Sequence, residues 1–152
     1  LINNAAILLD HYQGAEGTIP DDMERTLATN VVGVHSVIRA FLPLLRQSPA
    51  ARIANVSSGA SQLNDMFCSV WAPGYQVSKA ALNALTRIWA TELVKDHIPV
   101  NSVCPGWCRT DMGGEQASRT AEQGATSVCW LVTKASHDIT GKFFRDGVEL
   151  EW

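Results

Sequence analysis

The chain has 152 residues, of which 46% are hydrophobic and 18% are charged, and its formal net charge is −3. This composition is typical of a globular domain with a core of its own. Its basic residues are scattered, and no continuous apolar run reaches the roughly 18 residues of a membrane span. The composition therefore predicts a single cytoplasmic domain whose partners are neither nucleic acid nor a membrane.

Segments with strand and helix patterns alternate along the chain. In order, they are the end of a strand at 1–6, a loop at 7–19, a helix from 20 to about 46, a strand at 52–58, a helix from about 74 to 95, a strand at 100–103, a helix from 121 to about 132, and a final strand and turn at 142–147. This alternation predicts an α/β fold in which helices cover both faces of a parallel sheet.

Local signals mark two of the helix starts. Pro20, followed by Asp21 and Asp22, is typical of a first helical turn, where proline is tolerated and acidic groups face the positive end of the helix dipole. Residues 120–123 fit a capping box at the start of the last helix. Asparagine is a poor residue inside a helix, so we expect a bend near Asn30.

The four cysteines, Cys68, Cys104, Cys108 and Cys129, lack the spacing of a metal site, and the histidines are dispersed. We therefore expect reduced structural cysteines and no bound metal.

The chain begins with Leu1 rather than methionine, inside a segment with a strand pattern. It contains no Gly-x-Gly sequence, the core of the usual dinucleotide-binding loop. We therefore expect residues 1–152 to form a single domain that is only part of a larger fold, as a fragment or a processed product.

Tyr75 and Lys79 lie four residues apart and share one face of the predicted helix. A tyrosine with an ordinary pKa of about 10 is a poor acid or base at neutral pH, and a cation close by favours the phenolate. We therefore expect Lys79 to lower the pKa of Tyr75. With a hydroxyl on the preceding strand, the pair predicts acid–base chemistry at a C–O(H) centre, and the alternative is a solvated helix pair.

Five segments together resemble the short-chain dehydrogenase/reductase family. They are Asn-Asn-Ala-Ala at 3–6, Thr-Asn-Val-Val-Gly at 29–33, Asn-Val-Ser-Ser at 55–58, Tyr-x-x-x-Lys at 75–79 and Pro-Gly-Trp-Cys-Arg-Thr-Asp-Met at 105–112. The ending at 141–152 is similar to that of carbonyl-reductase-like members. Ala6 replaces the usual glycine of the first segment. The resemblance implies a Rossmann-like sheet, the C-terminal portion of a doubly wound fold.

The resemblance implies a catalytic set of Asn30, Ser58, Tyr75 and Lys79. Tyr75 would exchange a proton with the substrate oxygen, and Lys79 would lower its pKa and bind the nicotinamide ribose. Ser58, which the family favours over Ser57, would donate a hydrogen bond to that oxygen. Asn30 would hold a helix bend and a water that links Lys79 to solvent. A strand-end serine and a tolerated polar kink are the structural alternatives.

The resemblance also implies a cofactor site and a substrate pocket. The cofactor residues would be Asn3, Asn4, Tyr75, Lys79, Pro105, Gly106, Cys108 and Thr110. Trp71, Trp107 and Met112 would line the pocket. Ordinary turns and core packing are the alternatives for several of these residues. NADP(H) is favoured as the cofactor and NAD(H) is possible, with a small carbonyl or alcohol as substrate.

The resulting functional hypothesis is an oxidoreductase that transfers a hydride between NAD(P)H and a carbonyl or secondary alcohol. The first alternative is a truncated, non-catalytic chain that acts only through association. A carrier-bound acyl substrate is a further alternative, although no clear basic docking patch is present. The helices at about 20–46 and 74–95 resemble the pair that family members pack into dimer interfaces, which implies a homodimer or homotetramer.

Overall fold

The computed structural model describes residues 1–66 and 70–152, apart from the side chain of Asp65. A five-stranded sheet with the order β1-β2-β3-β4-β5 forms its centre. The strands are β1 (Ile2–Asn3), β2 (Ile53–Val56), β3 (Val100–Val103), β4 (Phe143–Arg145) and β5 (Val148–Leu150). The first four are parallel, and β5 returns antiparallel to β4. The predicted α/β fold is confirmed.

The helices are α1 (Pro20–Leu27), α2 (Val34–Leu45), α3 (Leu63–Met66), α4 (Pro73–Glu92) and α5 (Ala121–Thr133). Pro20 occupies the start of α1, and α5 opens with the capping box formed by Thr120 and Gln123. The predicted bend near Asn30 is present as a π-helical turn, Ala28–Gly33, which joins α1 to α2.

Side chains alternate between the two faces of the sheet, and helices cover both of them. Ile53 and Val100 belong to a core cluster that includes residues of α2 and α4. Ala54 and Val103 belong to a second cluster, on the side of α5. The period of two along each strand places neighbouring residues in different cores. The predicted helical layers on both faces are therefore confirmed.

A row of buried polar side chains crosses three strands on the α4 side. Asn3, Asn55 and Ser102 are register partners on β1, β2 and β3. Asn3 Nδ2 donates to Asn55 Oδ1 at 2.8 Å, and Asn55 Nδ2 donates to Thr86 Oγ1 of α4 at 2.9 Å. Ser102 Oγ also donates to Thr86 Oγ1, at 2.9 Å. This polar row couples the sheet to α4 by hydrogen bonds rather than by apolar contact alone.

α1, the π-helical turn and α2 form a continuous helical stretch of 26 residues, Pro20–Leu45, which contains an 18-residue window with a mean hydropathy of 1.4. By length and composition alone it could cross a membrane, although core helices of globular proteins pass the same test. One face of this stretch packs inward through Thr26, Asn30, Val34 and Ile38, which are buried. The predicted lack of a membrane partner stays a prediction.

Candidate active site

The carboxyl ends of the parallel strands open into a cleft of about 1480 Å³. Open α/β sheets bind ligands at this edge. The cleft brings together most of the residues predicted from the sequence, namely Asn4, Ser58, Trp71, Tyr75, Lys79, Pro105, Gly106, Trp107, Cys108, Thr110 and Met112. Asn3 and Asn30 lie outside this lining.

Tyr75 and Lys79 lie one turn apart on α4, facing the end of β2. Both are buried, with 8% and 2% of their surfaces exposed. Lys79 Nζ lies 5.6 Å from the centre of the Tyr75 ring and donates to the carbonyl oxygen of Val56 at 2.8 Å. The Trp71 ring packs against Tyr75 with a centroid separation of 5.9 Å. The predicted pairing on one helix face is therefore present at the cleft.

Ser58 follows β2 in an extended conformation, and its side chain lies near enough to the Tyr75 phenol to oppose the rise in the pKa of that group. Its Oγ also accepts a hydrogen bond from Ala60 N at 3.1 Å. Ser57 is turned towards α4, where its Oγ donates to the backbone oxygen of Lys79 at 3.4 Å. Of the two serines, Ser58 is therefore the one that lies beside the Tyr75 phenol.

Burial shifts both ionisable groups of the pair towards their neutral forms. It raises the pKa of Tyr75 to about 12, an increase that the neighbouring Ser58 hydroxyl partly opposes. It lowers the pKa of Lys79 to about 8. The expected lowering of the Tyr75 pKa is wrong for this structure, because removing the phenolate from water outweighs the pull of an ammonium that is bonded to Val56. Tyr75 therefore holds its proton at neutral pH and can act as a donor.

The lowered pKa of Lys79 predicts a rise in stability between about pH 8 and pH 10. In this window the native Lys79 has lost its proton, while the unfolded lysine, with a pKa of 10.5, still binds one. Because the unfolded state then holds more protons, the free energy of unfolding increases with pH, by about 1 kcal/mol per pH unit. Above pH 10 the raised pKa of Tyr75 acts in the opposite direction.

Urea denaturation of the wild type and of Lys79→Met, from pH 7 to pH 10, measures this effect as the difference between the two proteins. The free energy of unfolding of the wild type should increase relative to that of Lys79→Met as the pH rises above about 8. A difference that is constant with pH would show that Lys79 titrates normally in the native state.

Asn30 is fully buried in the π-helical turn and holds the loop that precedes α1. Its Oδ1 accepts from Ile7 N at 2.8 Å, and its Nδ2 donates to Ile7 O at 2.9 Å and to Ser78 Oγ at 3.0 Å. Ser78 Oγ in turn donates to the backbone oxygen of Tyr75 at 2.7 Å. Asn30 therefore supports the start of α4 from behind the cleft, and its part in a proton relay stays a prediction.

Asn3 and Asn4 have separate positions although they are adjacent in sequence. The Asn3 amide is committed to Asn55 within the polar row, whereas Asn4 is exposed and lines the cleft. Of the two, Asn4 is the one placed to border a ligand.

Asp10 is a site residue that the sequence did not reveal. It is 1% exposed, and its Oδ2 accepts from Gly74 N at 2.5 Å and from Thr18 Oγ1 at 3.2 Å. Gly74 lies in the first turn of α4, whose N-cap residue, Ala72, offers no side-chain acceptor. A carboxylate 64 residues away in sequence thus caps the helix immediately before Tyr75.

Replacing Asp10 with alanine should lower the free energy of unfolding by about 1–3 kcal/mol, because a buried helix cap is lost and Gly74 N loses its acceptor. Urea denaturation measures the loss. Asp21→Ala is a matched control, since Asp21 lies in the first turn of α1 but is 71% exposed and pairs only loosely with Arg25. Equal losses in the two variants would contradict the capping role of Asp10.

The lining of the cleft also contains groups that belong to none of the predicted site residues. Cys104 Sγ accepts from Gly59 N at 3.2 Å, Gly106 N at 3.3 Å and Arg145 Nη2 at 3.2 Å. Arg119 also lines the cleft. The sequence feature that could have indicated Arg145 is a single charged residue directly after two apolar residues of a predicted strand, Phe143 and Phe144.

Cys104, Cys108 and Cys129 are free thiols, and Cys68 lies outside the described residues. Within residues 1–66 and 70–152, no group of three potential ligands could hold a metal ion. The absence of a metal from the protein stays a prediction.

The sequence model of the short chain dehydrogenase family matches residues 1–123. The chain belongs to the short-chain dehydrogenase family. The resemblance predicted from the five segments is therefore confirmed, and four of those segments contribute side chains or backbone to the cleft.

Known short-chain dehydrogenases and related proteins resemble the whole chain. Short-chain dehydrogenase anuI of Penicillium roqueforti is 35% identical over 166 residues, which cover 100% of this chain and 65% of that protein. C-signal of Myxococcus xanthus is 33% identical over 157 residues, which cover 100% of this chain and 91% of that protein. The NADPH-bound carbonyl reductase from chicken fatty liver superposes with a TM-score of 0.89 at 29% identity, covering 99% of this chain and 64% of that one.

The chain thus spans about two thirds of the length of anuI and of the chicken carbonyl reductase. It spans nine tenths of C-signal, a relative of similar size.

Proposed function

We propose that this chain provides the proton-transfer site of an NAD(P)H-dependent reductase that converts a small carbonyl compound into an alcohol. The observation that carries the proposal is the convergence of Ser58, Tyr75 and Lys79 at the mouth of one cleft. A phenol, a hydroxyl and an ammonium at that spacing can hold and protonate an oxygen on which negative charge develops.

The roles follow from the geometry of the three side chains. Tyr75 keeps its proton at neutral pH because its pKa is raised to about 12, which favours the direction of carbonyl reduction. The Ser58 hydroxyl lies beside that phenol and can donate to the same substrate oxygen. Lys79 places a positive charge beside the ring, 5.6 Å from its centre, which stabilises the phenolate that proton transfer leaves behind.

The residues of the cleft fit the nicotinamide end of a dinucleotide. Among the described residues that line it are the cations Lys79 and Arg119, and no aspartate or glutamate is present there, which suits an anionic cofactor. Lys79, Asn4 and the segment 105–110 (Pro105, Gly106, Cys108 and Thr110) would hold the nicotinamide end. When bound, the reduced nicotinamide supplies the hydride. NADP(H) is the favoured form, because the chicken carbonyl reductase structure has NADPH bound.

Cofactor binding and turnover test this proposal separately. Calorimetric titration of the 152-residue chain with NADPH and with NADH should give saturable binding that is tighter for NADPH. Oxidation of NADPH by ketones and aldehydes should then be followed in this chain and in the longest native polypeptide that contains it. If neither polypeptide oxidised NADPH with any of these substrates, the reductase proposal would be overturned.

A second candidate function is a role through association without catalysis. The observation that favours it is the relative named C-signal, whose length the chain matches to 91%. Under this alternative the 152-residue chain would neither bind NADPH saturably nor need Tyr75 for its biological effect. The titration therefore also separates the two candidates.

The proposed homodimer or homotetramer would use the outer surfaces of α2 and α4. These helices leave large apolar side chains exposed, including Phe41 (47%), Leu44 (62%) and Ile88 (65%). The combined variant Leu44→Glu and Ile88→Glu should reduce the mass found by light scattering to that of a monomer. Val148→Glu on β5 is the control, since Val148 is equally exposed at 64% but lies on another element. An unchanged mass in the combined variant would place the interface elsewhere.

A cytoplasmic location is proposed together with this assembly.

A further inference from the structure

We propose that Arg145 makes the cleft selective for carbonyl compounds that carry a carboxylate close to the reacting carbonyl group. This inference deepens the proposed reductase function and rests on it. Its basis is the position of the Arg145 guanidinium in the cleft and the absence of a carboxylate partner for it among the described residues.

The Arg145 guanidinium lies against the loop that carries Ser58. Arg145 ends β4, whose carboxyl end opens into the cleft, and its Nη2 is 3.2 Å from Cys104 Sγ. A β-carbon placed on Gly59 would lie 2.5 Å from the same Nη2, so the guanidinium packs directly on the residue after Ser58. Arg145 therefore borders the part of the cleft in which Ser58 and Tyr75 would hold a substrate oxygen.

The positive charge of Arg145 has no carboxylate partner among the described residues. Asp146, its neighbour in sequence, is engaged by Arg119 at 2.8 Å, and Glu149 on β5 is engaged by Lys142 at 2.8 Å. The acceptor that Arg145 does have is a thiol sulfur, which is a weak one. Its Nε is buried without a hydrogen-bond partner. A guanidinium in this state lacks the planar, charged acceptor that it binds best.

An anion at this position is better assigned to the substrate than to the cofactor. Hydride transfer requires the nicotinamide ring to lie against the carbonyl carbon, so the uncharged end of the cofactor is the part that approaches Ser58 and Tyr75. The phosphates lie beyond the ribose, away from the reacting carbon. A negative group within reach of Arg145 is therefore carried by the carbonyl compound, and a carboxylate matches the two parallel N–H donors of the guanidinium.

Paired acid and ester substrates test this assignment. Benzoylformate and levulinate would be compared with their methyl esters as substrates of the wild type, Arg145→Gln and Arg145→Lys. Arg145→Gln should lower kcat/KM for the acids by about 10- to 100-fold, the range expected for a charge-assisted hydrogen bond, and change kcat/KM for the esters by less than about threefold. Arg145→Lys should keep part of the preference for acids, because it retains the positive charge but not the two parallel N–H donors of the guanidinium.

A matched control and a measurement without turnover complete the experiment. Arg39→Gln removes the same charge from an exposed position on α2 and should leave both substrate classes unchanged. Calorimetry should show that phenylacetate binds at least tenfold more tightly than phenylacetamide and that Arg145→Gln abolishes the difference, even in a polypeptide that shows no reductase activity. Equal losses for acids and esters, a rise in the KM for NADPH alone, or binding of phenylacetate that is indifferent to Arg145→Gln would each overturn the proposal.

Discussion

Replacing Tyr75 with phenylalanine is expected to lower kcat for carbonyl reduction by about 10²- to 10⁴-fold, the usual contribution of a positioned acid or base. The substitution removes only the hydroxyl that Ser58 contacts. The ring and its packing against Trp71 and Lys79 are retained. Steady-state oxidation of NADPH with a saturating ketone measures the effect, and NADPH affinity should change little.

The chain contains its own control for this experiment. Its other tyrosine, Tyr12, also lines the cleft but is 80% exposed and stacks on His11 rather than on the catalytic groups. Tyr12→Phe should therefore keep nearly full activity. If Tyr75→Phe retained more than about a tenth of the wild-type kcat, proton transfer would have to come from another group.

Replacing Asn30 with alanine is expected to lower the free energy of unfolding by about 2–4 kcal/mol. The loss arises because three hydrogen bonds disappear and the N–H and C=O groups of Ile7 lose their partners. The π-helical turn that contains Asn30 would also lose its tie to α4 through Ser78. Urea denaturation at neutral pH measures the change.

Two variants sharpen this second prediction. Asn30→Asp keeps an acceptor for Ile7 N but removes both donors, so its loss should be intermediate. Ser36→Ala lies on the same helical stretch, is exposed, and removes a bond to its own helix backbone, so its effect should stay within about 0.5 kcal/mol. A loss below about 1 kcal/mol for Asn30→Ala would mean that the loop at Ile7 is held by other contacts.

Elements governed by local rules were predictable from the sequence. β3 was predicted at the residues where it occurs, and the capping box located the start of α5. The final segment was only partly predicted, because the structure forms a hairpin in which β5 follows β4 after a turn at Asp146 and Gly147. Both turn residues have positive φ, 52° and 79°, a geometry that pairs two strands of three residues each.

The site was predictable where its residues share one element and unpredictable where they meet through the fold. Helical spacing relates Tyr75 to Lys79, and the strand pattern places Ser58 at the end of β2. Asp10 and Arg145 reach the same region from distant parts of the chain, and no local pattern relates Asp10 to it. The pKa of Tyr75 was predicted in the wrong direction because spacing indicates a nearby charge but carries no information on burial.

The buried polar row also restricts how the strands can be aligned. A one-residue slip of β1 against β2 would turn Asn3 to the opposite face and leave Asn55 Oδ1 buried without a donor, at a cost of about 1–3 kcal/mol. The same slip of β3 would remove Ser102 from Thr86. Apolar contacts alone would discriminate less sharply between these alignments. Because Thr86 belongs to α4, the alignment that satisfies the row also sets how far along the sheet Tyr75 and Lys79 come to lie.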